Sequence, residues 1–313
     1  GPTASGKSEL KRCLVNGLEA YSQTEDGKRY TIAWRNGGGE PMAEIGFERD
    51  PEKIKEKGDW VESPVQENPL RLLYEDVRAE FQKEVEEETG ENISIEGQLS
   101  PFDRKFLEEK GKEGYQNIFR DGKELKIVDY RMERGRGIGV LQTEDEGTPK
   151  QKMVGSFQRD INKIKKHGVD DPRLFDYQGV LSKGNNGITI FEDMIKHEDV
   201  LHKLMNIPEE KEIDIGKQSM DIDTVMFIIS NPDLEFKLGQ NEEMKDKDPY
   251  RALKRRMKKH EFRYLTNFTE EAKLLERELS SDYRTAETLK DDTDIQKPLE
   301  IDSGEKKIEL APH

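Results

Sequence analysis

The first eight residues constrain this chain more than any other segment. Gly1-Pro2-Thr3-Ala4-Ser5-Gly6-Lys7-Ser8 fits the pattern G-x-x-x-x-G-K-[ST]. Glycines at this spacing let backbone N–H groups turn inward around an anion, and a helix starting at the loop adds the positive end of its dipole. Lys7 is placed to reach the outer phosphates of a nucleoside triphosphate, and Ser8 to offer its hydroxyl to Mg2+. Gly1, Pro2, Thr3, Ala4, Ser5, Gly6, Lys7 and Ser8 are therefore the candidate phosphate loop, with ATP and Mg2+ as expected cofactors. Leu10, Cys13, Leu14, Leu18 and Tyr21 follow at helical spacing, which predicts a helix with Cys13 in the core. A strand normally precedes such a loop, so the chain reads as a piece of a longer protein.

Charge and cysteine count narrow the class. Acidic residues number 67 against 52 basic ones, for a net charge of −15 over 313 residues. That balance argues against a protein that coats nucleic acid, which needs a positive field. No apolar run approaches the ~20 residues of a membrane span. With no leader segment visible, a cytoplasmic protein is expected. The single cysteine excludes an internal disulfide framework and a multi-cysteine zinc site.

Along the chain, Tyr30–Trp34 reads as a strand. Residues 35–70 lack periodicity and carry Gly37-Gly38-Gly39, Pro41, Pro51, Pro64 and Pro69, as an insertion would. Glu75–Glu88 reads as a helix stopped by Gly90, and Ser100-Pro101 opens a second one that ends near Gly111. Lys126–Arg131 is a strand, 142–152 a polar loop and Gly155–Lys166 a short helix. The glycines at 135, 137 and 139 read as a backbone turn. Ile188–Phe191 and Val225–Ile229 are apolar runs suited to central strands covered by helices. Ile195, Leu201, Leu204 and Met205 give a helical pattern between them, so the sheet should be parallel.

Two acids, Glu192 and Asp193, end the first of these runs. Beside a phosphate loop, one carboxylate holds Mg2+ and another polarises the attacking water. Glu192 is assigned to the metal together with Ser8, and Asp193 to the water; a solvated helix start is the alternative. Asn231, after the second run, suits a polar residue that senses the terminal phosphate, and equally an Asn-Pro turn. Arg251–His260 reads RALKRRMKKH, a concentrated basic run in an acidic chain. Arg255 and Arg256 are candidates to stabilise charge on a phosphate held by a neighbouring copy. A solvated face or a nucleic-acid contact are the competing readings. The five histidines show no metal-binding spacing.

The order of these motifs resembles the AAA domain of the PrkA family, whose members are labelled serine protein kinases. Gly17–Ser22 matches "GLEAYS", and Asn68–Phe81 matches "DPLRLIPEDVRAEF". Arg136–Gly139 resembles "RVGIG", Asp171–Val180 "SDPRAFNFDGEL", Asn185–Lys196 "NRGLLEFVEMFK", and Ile222–Phe236 "IDEVIIATSNEPEY". Ala252–Tyr264 resembles "ALRDRTVKIDIPY", which puts the family's second arginine on Arg256. Ala311-Pro312-His313 is similar to the family's "APH". Three departures stand out. "CPMHEEPL" is echoed by Glu40-Pro41-Met42-Ala43-Glu44, a Cys-x-x-Cys-like pair becomes Ser100-Pro101-Phe102-Asp103, and the acid inside the strand of the Walker B motif becomes Ile190.

The resemblance implies a three-layer α/β P-loop ATPase core of the AAA+ class over residues 1–264. It carries a polar elaboration over about 35–125, and a helical lid begins over 265–313, with Phe268, Ala272, Leu275 and Leu279 on one face. The charged segment 281–309 is expected to be mobile in part. The implied function is Mg-dependent ATP binding and hydrolysis in a ring-like homo-oligomer with a protein target, without membrane or nucleic-acid partners. The alternative is a nucleotide-dependent regulatory module with little turnover. No kinase signature of the HRD or DFG kind is present.

Overall fold

The periodic run after the glycine loop forms helix α1 (Lys7–Tyr21). The computed structural model describes residues 7–35, 60–113, 115–120, 122–141, 147–157, 164–165, 167–193, 200, 204, 207–215, 217–230, 257–258, 260, 269, 299–302 and 307–310. In α1 the buried face is not centred on the expected residues. Val15 is buried, with Leu14 and Leu18 packed alongside it, while Cys13 is exposed. Two positions correspond to about 200° around a helix, so a face centred on Val15 turns Cys13 outward. Leu10 and Tyr21 are also largely exposed.

After α1 come β1 (Arg29–Arg35), β2 (Trp60–Glu62), α2 (Glu75–Thr89), α3 (Pro101–Lys110), α4 (Tyr115–Arg120) and β3 (Leu125–Tyr130). Three of these strands make an antiparallel sheet in the order β2-β1-β3, with Ile32 opposite Ile127. Helix α2 starts with Glu75 and Asp76 at its positive end and stops at Gly90, which takes the left-handed conformation at φ 73°. Ser100 caps α3 by accepting the Asp103 N–H, and Pro101 occupies the first turn, as its sequence predicts.

The second half supplies β4 (Glu133–Arg134), β5 (Gly137–Leu141), α5 (Pro149–Met153), α6 (Val180–Lys183), β6 (Gly187–Glu192), α7 (Ile207–Glu210), β7 (Glu212–Ile215), β8 (Gln218–Asp221) and β9 (Thr224–Ile229). Strands β4-β5-β6-β9 form a parallel sheet, with Ile190 between Val140 and Phe227. The turn into it is glycine-dependent: Gly135 and Gly137 hold φ 93° and 77°.

Several local expectations change. Residues 149–153, expected as loop, form α5 because Thr148 and Gln151 make a reciprocal capping box. The helix expected over Gly155–Lys166 does not start at Gly155, although residues 164–165 are helical. Gly155 holds φ 135°, and Phe157 bridges Phe175 in extended conformation. Between β6 and β9 the described residues Val200 and Leu204 are helical and buried, in line with the helical pattern, and α7 and the antiparallel hairpin β7–β8, which the sequence reading did not include, follow them. Near the end, Thr269 is helical, and β10 (Leu299–Asp302) pairs antiparallel with β11 (Lys307–Leu310) inside the segment expected to be mobile in part. The predicted lid face, Phe268, Ala272, Leu275 and Leu279, lies outside the described residues.

Side-chain alternation sorts the parallel sheet into two faces. Ile138, Ile188 and Ile190 pack with Val15 of α1, whereas Leu141 and Phe191 pack away from it. That second face joins a larger core containing Trp34 of β1 and, from the region expected to be an insertion, Val61, Phe102, Phe106 and Ile118. The described part of that region contributes to the core: its apolar residues and those of the sheet form one cluster. Strand β9 is not fully covered. Val225 and Phe227, in register with Ile188 and Ile190 on the α1 side, remain exposed because α1 lies over β5 and β6. Among the described residues no helix is long and apolar enough to cross a membrane.

Candidate nucleotide site

Of the phosphate loop, Gly1 to Gly6 lie outside the described residues. Lys7 and Ser8 begin α1, so the helix starts at the position that the motif requires. Glu192 closes β6, and Asp193 follows at φ 45°, a conformation that aspartate tolerates better than most residues. The Asp193 backbone N–H donates to the Ile229 carbonyl at 3.0 Å, which ties the end of β6 to the end of β9. Asn231, Arg255 and Arg256 lie outside the described residues. Met257, next to Arg256, is partly buried against the main core.

The contact that organises this end of the sheet is one that the sequence reading missed. Lys11 Nζ forms an ion pair with Glu192 Oε1, and the two side chains are only 14% and 26% exposed. Lys11 lies one turn beyond Lys7, about 6 Å along the helix axis. The pair therefore brings the end of β6 against the first turns of α1, at the end that carries Lys7 and Ser8. A signal was available: Lys11 interrupts the stripe that continues through Val15 and Leu18, and a lysine there needs a partner.

The same geometry gives Glu192 a partner. Its carboxylate, expected at the metal, is engaged by an ammonium group. Ile190, where the resembling family carries an acid, is fully buried against α1. Ile190 and Glu192 face the same way, so the strand offers its carboxylate one pleat repeat later, a displacement of ~6.6 Å. As a donor set for Mg2+, a serine at position 8 with carboxylates at 192 and 193 is chemically suitable. One of those carboxylates is already neutralised.

A second polar cluster is fully buried in the region around α3. Asp103 accepts from Trp34 Nε1 at 2.7 Å, Ser63 Oγ at 2.7 Å and Ser100 Oγ at 2.6 Å. Glu67 accepts from Arg71 at 3.0 Å and from the Ser100 N–H at 2.5 Å. Burial drives the Glu67 carboxyl up to about 7, and Asp103 pushes the same way, against the opposing pull of Arg71 and the Ser100 N–H. Burial also raises Asp103, opposed by its three donors.

The residues of this cluster offer a second match to a family segment. Ser63-Pro64-Val65-Gln66-Glu67-Asn68-Pro69-Leu70 fits "CPMHEEPL" with both prolines, a glutamate and the leucine in place, and it runs straight into the Asn68–Phe81 match. The echo at Glu40–Glu44 lies outside the described residues. In this match Ser63 and Gln66 stand at the Cys and His positions of that motif. Ser63 and Ser100 both donate their hydroxyls to Asp103, so Ser63 meets the Ser100–Asp103 segment through that carboxylate.

Comparison with known proteins gives a consistent result. The model of the PrkA AAA domain family matches residues 1–293. The ATP-dependent protease PrkA of Bacillus subtilis (strain 168) is 30% identical over 223 residues, which is 69% of this chain and 28% of that protein. The chain thus spans about a quarter of the length of this curated relative. No solved structure matches. A parallel sheet preceded by a G-x-x-x-x-G-K-S helix start, and a family match over nearly the whole length, lead to one conclusion: the chain belongs to the PrkA AAA domain family and has the α/β P-loop architecture of a nucleotide-binding, ATPase-type module.

Proposed function

We propose that the chain binds Mg·ATP at Gly1–Ser8 and hydrolyses it, with Asp193 orienting the attacking water and Asn231 reading the terminal phosphate. The supporting observation is the Lys11–Glu192 contact, which draws the carboxylate that closes β6, with Asp193 next in the chain, to the first turns of α1. Lys7 would neutralise charge on the outer phosphates, and Ser8 with a strand-end carboxylate would hold Mg2+, which supplies charge neutralisation between the phosphates. Arg255 and Arg256 would act on the nucleotide of a neighbouring copy in a ring-like homo-oligomer. The related B. subtilis protein is named an ATP-dependent protease, and the family label is serine protein kinase. In this proposal the hydrolysis cycle of the natural protein drives work on a protein target.

A second reading is favoured by Ile190 and by the engagement of Glu192: a module that binds ATP and changes conformation with little turnover. Radiolabelled ATP distinguishes the readings and also separates released from protein-bound phosphate. Lys7→Ala should abolish detectable binding. Asp193→Asn should retain binding and slow phosphate release by about 100-fold, the usual scale for a lost general base. Wild-type binding without release, unchanged in Asp193→Asn, would refute hydrolysis and leave the regulatory reading.

A further inference from the structure

We propose that Lys11 is a latch on the Glu192 carboxylate, holding it against α1 until nucleotide binding draws it away. The inference rests on the Mg·ATP reading and assigns a positioning role to a residue outside the phosphate loop.

Three observations carry it. First, Lys11 sits in an otherwise apolar stripe with Val15 and Leu18, its side chain 14% exposed, and it pairs with Glu192. A cation this far out of water needs a counter-charge. Second, helix register puts position 11 three and four residues after Ser8 and Lys7, on the same side of α1. The carboxylate that Lys11 holds is therefore about one turn from the positions that would bind Mg·ATP. Third, Ile190 removes any acid from the preceding pleat position on that face of β6, so Glu192 is the carboxylate of this strand that is turned toward α1.

An ammonium and a divalent cation compete for one carboxylate. Glu192 paired to Lys11 is occupied; released, it is available to Mg2+. Asp193 does not take its place on this face, because it follows the strand at a left-handed residue anchored to the Ile229 carbonyl. Lys11 thus sets how much Mg2+ is needed before the nucleotide site is complete.

The test uses the full natural chain and measures binding apart from turnover. Fluorescent ATP is titrated at increasing Mg2+ with wild type, Lys11→Met, Lys11→Arg and Glu192→Gln. Lys11→Met keeps the side-chain stem and removes the charge. It should lower the half-saturating Mg2+ concentration about tenfold, since Mg2+ is held by only one or two carboxylates. Lys11→Arg should behave as wild type. Glu192→Gln should raise the Mg2+ requirement and cancel the gain when combined with Lys11→Met. An unchanged or higher requirement in Lys11→Met refutes the latch and leaves Lys11 as a packing residue. Should that variant not fold, a wild-type Mg2+ requirement in Glu192→Gln refutes it equally. If neither wild type nor Lys11→Met binds nucleotide, the nucleotide reading falls and the latch with it. Binding with unaltered Mg2+ dependence removes the latch alone.

Discussion

Replacing Glu67 with glutamine should alter how stability depends on pH, with a sign opposite to that of a surface salt bridge. Glu67 is fully buried, and its carboxyl titrates at about 7 in the fold against 4.5 as its ordinary value. Between those values the folded chain binds more protons than the unfolded one, so stability falls as pH rises. The contribution is fully present below about 4.5, is lost progressively, and is gone above about 7. Each pH unit in the window is worth ~1.4 kcal/mol, so the traverse amounts to about 3 kcal/mol. Glutamine keeps a carbonyl acceptor for Arg71 and does not titrate. The experiment is urea unfolding of both proteins from pH 5 to pH 8. Wild type should lose about 2.5 kcal/mol relative to Glu67→Gln across this range, most of it before pH 7.5. Parallel curves would refute the argument. So would wild type gaining on the variant with rising pH, since that would mean that Arg71 dominates and holds Glu67 charged.

Other substitutions test separate parts of the structure. Trp34→Phe removes one of the three donors to buried Asp103 and should cost about 1–3 kcal/mol in denaturant unfolding, with the aromatic stack on Phe106 retained. Gly139→Ala should be more damaging: a Cβ there would lie 1.9 Å from the Val180 carbonyl oxygen, so β5 and α6 must separate, and a lowered thermal midpoint is expected. Arg173→Met strips the buried Asp171 carboxylate of its cation and should cost about 3–5 kcal/mol at neutral pH. In wild type, Arg173 holds Asp171 below its ordinary value against the opposing effect of burial. That contribution is present above pH 3.8 and fades in acid, so the gap between Arg173→Met and wild type should narrow as pH falls.

Where local chemistry decides the backbone, the sequence was readable. Gly90 ends α2 because a left-handed residue closes it, and Ser100-Pro101 opens α3 because serine caps and proline fits the first turn. Ile188–Phe191 and Val225–Ile229 declared their strands by apolar runs too short for helices. What failed depended on partners far along the chain. Cys13 looked interior because helical spacing gives the width of a face, not its centre; the sheet under Val15 sets that. The α3 region looked like an insertion because Pro and Gly break its periodicity, while its burial comes from distant residues: Phe106 stacks on Trp34, and Phe102 meets Tyr177. At the candidate site, the glycine loop and the two strand-end acids were legible. Lys11 was not, since its meaning lies in Glu192, 181 residues later.

The core shared by the two sheets has a kinetic consequence. Trp34 and Phe106 belong to one cluster with Leu141 and Phe191, Asn185 donates to the Val65 carbonyl across 120 residues, and Ser22 accepts from Met132 across 110. Contacts of such separation form late, after the loop-closure entropy has been overcome. The antiparallel sheet cannot complete its interior before the parallel sheet exists, nor the reverse. This chain should therefore fold slowly and as a unit, leaving newly made β-strands unpaired for longer than in a protein assembled from independent halves. A ribosome releasing it stepwise would expose Trp34 and Val61 well before the residues that cover them have emerged.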